Sequence, residues 1–169
     1  MPAVFTTLVL TEKALLPHDV ERIRQFHPDQ ETVHVHVCVP QGEEQGALSE
    51  ADELVDDVAR ADFAELKEDA GAQPASGPAA ADALRSSVSA LSGGSLTADG
   101  ELVPANPVDA VVAKAIELDV DEIIVVTEPH WLEEVLRRDW GTRIFREVKH
   151  RHREIPVLHF IAGTDQIVR

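Results

Sequence analysis

The sequence predicts an α/β protein: an open, doubly wound, mostly parallel five-stranded sheet with helices on both faces, Rossmann-like in layout. Two observations carry this. Short apolar runs rich in β-branched residues recur at 4–10, 32–39, 123–127 and 156–161, with a weaker one at 95–103. Amphipathic stretches separate them, and every connection is long enough for the crossover that parallel strands require.

The first run, 4–10, is continuous, as a parallel strand covered on both faces would be. A helix follows, because Leu15, Leu16, Val20, Ile23 and Phe26 recur at helical spacing. Pro17 suits its first turn, where a missing N–H costs little, and His27-Pro28-Asp29 ends it. The run 32–39 alternates strictly, with Val33, Val35, Val37 and Val39 on one face and His34, His36 and Cys38 on the other; Pro40 closes it. From 42 to 78 the composition turns to Glu, Asp, Ala, Gly, Ser and Pro. This reads as an acidic, partly mobile insertion within one domain spanning 1–169, with a helical pattern at 49–67 and a stretch at 71–80 that can bury little. Leu84, Val88 and Leu91 fit a short helix over 83–91, before Gly93-Gly94 and the strand at 95–103. Asn106 reads as an N-cap and Pro107 as the first position of a helix whose apolar face is Val108, Val111, Val112, Ala115 and Ile116. After the strand at 123–127, Trp131, Leu132, Val135, Leu136, Trp140, Ile144, Phe145 and Val148 mark a long amphipathic helix that leads to the last strand.

Thirty-one acidic against fifteen basic residues give a formal charge of −16, which repels nucleic-acid phosphates and anionic lipid surfaces. No nucleic-acid partner is expected, and no apolar window is long enough for a membrane helix. The N-terminal residues lack the pattern of a secretory leader. Cys38 is the only cysteine, so no internal disulfide can form; a reducing, cytoplasmic location is expected. Residues 43–69 hold eleven acids and two bases, and residues 137–153 seven bases and two acids. A solvated acidic face and a basic helix end account for both; contact between the two blocks, or an acidic segment recruiting a protein partner, is the functional alternative.

His34-x-His36 sets two imidazoles on one strand face, about 7 Å apart in Cα, a spacing some strand-borne zinc sites use. Cys38 is too far from His34 to share an ion, and further ligands would have to come from elsewhere, such as His159 or His130. Hydrogen-bonded core histidines are the simpler reading, and no metal is expected. The run Lys149-His150-Arg151-His152-Arg153 could bind an anion, but bases at a helix C-terminus also complement its dipole. Trp131 and Trp140 suit a core better than a ligand pocket. No nucleophile elbow, Walker lysine loop, paired-cysteine motif or dinucleotide glycine fingerprint is present, and Cys38 inside a strand is poorly placed as a nucleophile, so an enzyme is the weaker expectation.

The stretches NPVDAVVAKAIELDVDEIIVVT and WGTRIFREVKHRHREIPVLHFIA resemble the C-terminal half of universal stress proteins. The shared layout is an acid-led strand at Asp121-Glu122-Ile123-Ile124-Val125-Val126, a helix opening at Gly141-Thr142 and a last strand reading Pro156-Val157-Leu158. The first forty residues fit that family's first βαβ unit, including His36-Val37. The resemblance implies a Rossmann-like fold of the adenine-nucleotide α-hydrolase type. ATP-binding relatives place a glycine pair ahead of the Gly-Ser/Thr, so that backbone N–H groups close around phosphates. Counting back from Gly141 by the family's spacing lands on Trp131 and Glu128, and no residue from Thr127 to Trp140 is glycine. The resemblance therefore implies a divergent member lacking the glycine loop. The family position near the ribose maps to Thr11 or Glu12; the remaining nucleotide-site positions map to Val37, Thr127, His130, Gly141 and Thr142. The implied function is a non-enzymatic regulatory protein of the stress response, acting as a homodimer through an edge strand at Val157–Ile161, with no cofactor. The alternative is an ATP- or AMP-binding member with a non-standard phosphate loop, its Glu128 offset by Arg137, Arg138 or Arg143.

Overall fold

A computed structural model describes residues 4–27, 32–42, 78–128, 140–151 and 153–168. The strands are β1 (Phe5–Thr11), β2 (Val33–Pro40), β3 (Leu96–Val103), β4 (Glu122–Thr127), β5 (Val157–Ile161) and β6 (Ile167–Val168). The helices are α1 (Pro17–Phe26), α2 (Pro78–Leu91), α3 (Val108–Glu117) and α4 (Trp140–His150). The acidic insertion, His130, and the part of the long helix marked by Trp131, Leu132, Val135 and Leu136 lie outside the described residues.

The sheet order is β3-β2-β1-β4-β5-β6, parallel from β3 to β5. This is the doubly wound arrangement expected: the chain runs outward from β1 through β2 to β3, then restarts at β4 on the other side. Strict alternation decides which helices cover which face. Val9, Val33, Val35, Val37, Val39, Ile124, Val126 and Phe160 form one core with Val20 and Ile23 of α1 and Leu91 of α2. Leu8, Leu10, Cys38, Ile123 and Val125 form the other with Val111, Val112 and Ala115 of α3 and with Trp140, Ile144 and Val148 of α4. Removing one such side chain from water contributes about 1.5–3 kcal/mol, and two filled cores explain why this sheet holds without a crosslink. Among the described residues, no helix is long and apolar enough to cross a membrane.

Two helix starts differ from expectation. Helix α2 begins at Pro78, five residues ahead of 83, because proline is tolerated in a first turn and Ala79-Ala80-Ala81 are strong helix formers. Helix α3 begins at Val108: Pro107, not Asn106, is the N-cap, its carbonyl accepting from Val111 N at 2.8 Å, and no side-chain cap bond forms.

The strand β6 was not expected. It pairs antiparallel with β5 through His159 and Phe160, so β5 is not the outermost strand and the expectation of a bare edge at Val157–Ile161 is corrected over those two residues. Helix α1 explains why the chain turns back there. Arg22 Nη1 donates to Thr164 O at 2.6 Å and Gln166 O at 3.2 Å, and Nη2 donates to Asp165 O at 2.8 Å. Asp19 Oδ1 accepts from Gly163 N at 2.8 Å, and Gly163 turns the chain with φ of 70°.

At the amino ends of the central strands a polar group is buried. Thr7 Oγ1 donates to Glu122 Oε1 at 2.9 Å, and His27 Nε2 lies 2.8 Å from the same oxygen, at ion-pair distance without hydrogen-bond alignment. Phe5 covers the imidazole, with ring centroids 4.9 Å apart.

On β3, a Cβ added at Gly100 would collide with the Val37 carbonyl oxygen and with Leu84 Cδ1 of α2. Glycine here lets the helix lie close on the sheet. Gly100→Ala should therefore cost about 1–3 kcal/mol, read as a lower midpoint in urea unfolding; an unchanged midpoint would show that both β2 and α2 give way to the methyl group without loss.

Candidate functional site

In doubly wound sheets, ligands bind outside the carboxyl ends of the strands where the winding reverses, here between β1 and β4. Thr11 closes β1 and Thr127 closes β4, and the structure brings these two strand ends side by side, with Thr11 paired to Val126. Thr11 is buried, and its Oγ1 donates to Lys13 O at 2.7 Å, which turns the chain away after the strand. The two threonines face opposite sides of the sheet, Thr11 with the α1 core and Thr127 with the α4 core.

Thr127 Oγ1 is hydrogen-bonded to His159 Nε2 of β5 at 2.7 Å, with both residues buried. Gly141, in the first turn of α4, packs against that imidazole: a Cβ there would stand 3.2 Å from His159 Nδ1 and 3.5 Å from its Cβ. The glycine thus lets the start of α4 settle onto β5 over His159. Thr142 is exposed beside it. Glu128, half-buried, follows Thr127 directly. The structure thus links Thr127 and Gly141 through His159, while Thr142 follows Gly141 on the exposed side of α4. Val37 is not brought to them: it sits in mid-strand, fully buried against α2, with Gly100 behind it. His130 lies outside the described residues. Sequence reading noticed His159 only as a distant metal ligand; its parallel register, His159 beside Val125, makes it the neighbour of Thr127.

A second polar cluster stands on the β2–β3 part of the sheet, on the face covered by α3. The register sets His34 beside Thr97, His36 beside Asp99 and Cys38 beside Glu101. Asp99 Oδ1 lies 3.2 Å from His34 Nε2 and 2.7 Å from His36 Nδ1. The second nitrogen of each ring is also engaged, His34 Nδ1 with Thr97 Oγ1 at 3.3 Å and His36 Nε2 with Glu101 Oε1 at 3.2 Å. Lys114 of α3 reaches Glu101 at 3.3 Å and Glu117 at 3.0 Å, and the carboxylates of Glu117 and Glu101 hold its ammonium above the ordinary lysine range. Burial, reinforced by the nearby Glu101 carboxylate, pushes the Cys38 thiol up to about 12, so it stays neutral and unreactive. Asp99 and Glu101 went unnoticed in the sequence, although Thr97-x-Asp99-x-Glu101 alternates on a strand in the same manner as His34-x-His36-x-Cys38. Only the pairing of β2 with β3 sets the two series face to face.

No protein-family model matches the chain, and no curated protein matches it. Among solved structures, the chain is similar to the universal stress protein from Archaeoglobus fulgidus determined in complex with dAMP, with a TM-score of 0.49 and 14% identity over 96% of this chain and 100% of that one. A second structure of universal stress protein from Archaeoglobus fulgidus gives a TM-score of 0.43 at 14% identity, over 95% of each chain. The hypothetical protein PH0823 gives 0.40 at 16% identity, over 94% of this chain and 98% of that one.

Proposed function

We propose that this chain is a universal-stress-like regulatory protein that works as a homodimer and does not hold ATP through a glycine loop. One observation carries the second half of this reading. Gly141, the residue that in the resemblance would present backbone to phosphate, instead presents its open face to the His159 imidazole, which Thr127 holds. The side of Gly141 that lacks a Cβ packs on a side chain, and Glu128 brings a negative charge directly after Thr127, which supports the reading. The homodimer rests on the sheet edge. Strand β6 pairs with β5 only at His159 and Phe160, and its Ile167 is 45% exposed, with no charged side chain among the described strand residues there to oppose a twin strand. Light scattering at micromolar concentration should give the mass of two chains, and Ile167→Lys, at a position 45% exposed, should return one. A wild-type monomer would overturn the dimer.

A second reading, binding of ATP or AMP, is favoured by the two threonines at the point where the winding reverses. A saturable rise in melting temperature with millimolar Mg-ATP or AMP would support it, since ligand at 100 times its dissociation constant stabilises by about 2.7 kcal/mol. No rise would leave the nucleotide-independent dimer.

A further inference from the structure

We propose that His34, His36 and Asp99 form a binding site for a divalent transition-metal ion of the zinc class, a reading independent of the nucleotide question. The donor atoms, one from each residue, all lie within 4.8 Å of one another. A tetrahedral zinc ion holds nitrogen at about 2.0–2.1 Å and carboxylate oxygen at about 2.0–2.2 Å, so these three donors can close on one ion through small side-chain rotations. They stand on two paired strands, with His36 directly beside Asp99, and this fixes their spacing.

The surroundings are those a ligating histidine needs. Such a ring usually gives its second N–H to a carboxylate or another acceptor, which fixes the tautomer and frees the first nitrogen for metal. Here His36 Nε2 faces Glu101 at 3.2 Å, and Glu101 is itself held by Lys114 at 3.3 Å. His34 Nδ1 faces Thr97 Oγ1 at 3.3 Å. With both second nitrogens so engaged, His34 Nε2 and His36 Nδ1 are the ring nitrogens left facing Asp99. An ion there would take one lone pair from each ring and one from the carboxylate, with release of any proton held between them. Charge agrees: around the site, Asp99, Glu101 and Glu117 set three carboxylates against the one ammonium of Lys114. Asp99 and His34 are open to solvent, with side chains 61% and 30% exposed, so an ion can enter and would keep a position for water or an anion. The neighbouring grouping of His36, Cys38 and Glu101 is a poorer host, because Cys38 is fully buried.

The test is zinc uptake by the full chain, without a histidine tag. Protein stripped with chelator, exposed to micromolar zinc chloride and gel-filtered should carry one zinc per chain by atomic absorption. The His34→Gln/His36→Gln double variant should carry none. By calorimetry, Asp99→Asn should bind at least about tenfold more weakly, and Glu101→Gln, which weakens the contacts of Glu101 with His36 and Lys114, should lose about 10–100-fold. Cobalt in place of zinc should give a visible ligand-field band that disappears in the double variant. Absence of stoichiometric uptake, or uptake that persists in the double variant, would overturn the site. Should the double variant fail to fold by circular dichroism, Asp99→Asn decides, because that side chain is solvent-exposed; unchanged affinity there would equally overturn it.

Discussion

Phe160→Ala is expected to lower the free energy of unfolding by about 3–5 kcal/mol, the usual cost of emptying an aromatic position in a packed core. Phe160 is 1% exposed, lies 5.3 Å from the Phe26 ring between centroids, and carries the Arg22 guanidinium 4.1 Å above its own. Truncation opens a cavity and also removes the surface on which Arg22 rests while it holds the carbonyls of Thr164, Asp165 and Gln166. Because a domain of this kind is stable by roughly 5–15 kcal/mol in all, such a loss takes a large share of the total. Urea unfolding followed by circular dichroism would read it as a lower midpoint with an unchanged slope. A loss below about 1 kcal/mol would mean that α1 and β6 collapse onto the vacated space.

The second large effect is expected at Glu122. Replacing it by alanine leaves the His27 imidazole, 5% exposed, and the Thr7 hydroxyl buried without the carboxylate they share. A buried polar group left without its partner costs about 1–3 kcal/mol, and this substitution strips the partner from two. Thr7→Val, which removes one hydrogen bond at nearly constant volume, should cost only about 1 kcal/mol and separates the two contributions. Equal losses from the two variants would show that the imidazole, not the hydroxyl, finds another partner.

Much of this fold was legible in the sequence because its strands carry two unambiguous patterns. The alternation at Val33, Val35, Val37 and Val39 allowed only one face to meet α1 and α2, and the unbroken run Ile123-Ile124-Val125-Val126 allowed only a central position. Strand β6 was not legible: Ile167-Val168 is too short to show a period, and its pairing depends on Arg22, far back in α1, to fold the turn before it. The candidate sites were legible only in halves. Thr127 and Gly141 could be picked out along the chain, but the histidine between them belongs to another strand. Likewise His34-x-His36 was visible, whereas Asp99 was one carboxylate among many in an acidic chain. Register, which sequence alternation leaves open, supplied the missing partner in both cases.

The hold of α1 on the turn before β6 has a consequence for how the chain matures during synthesis. Asp19 and Arg22 are made early and end up 2% and 8% exposed; Asp19 accepts locally from Leu16 N at 3.1 Å, but its other carboxylate oxygen and the Arg22 guanidinium bond to backbone between Gly163 and Gln166. The central pairing of β1 likewise waits for β4, across 115 residues. Until those later segments leave the ribosome, Arg22 lacks its backbone acceptors, Asp19 has only its contact with Leu16 N, and β1 lacks one neighbour. A nascent fragment cannot therefore settle into its final form early, and loop-closure entropy must be overcome before the contacts that reward it exist. The contacts that complete the fold thus form only after those later segments have been made.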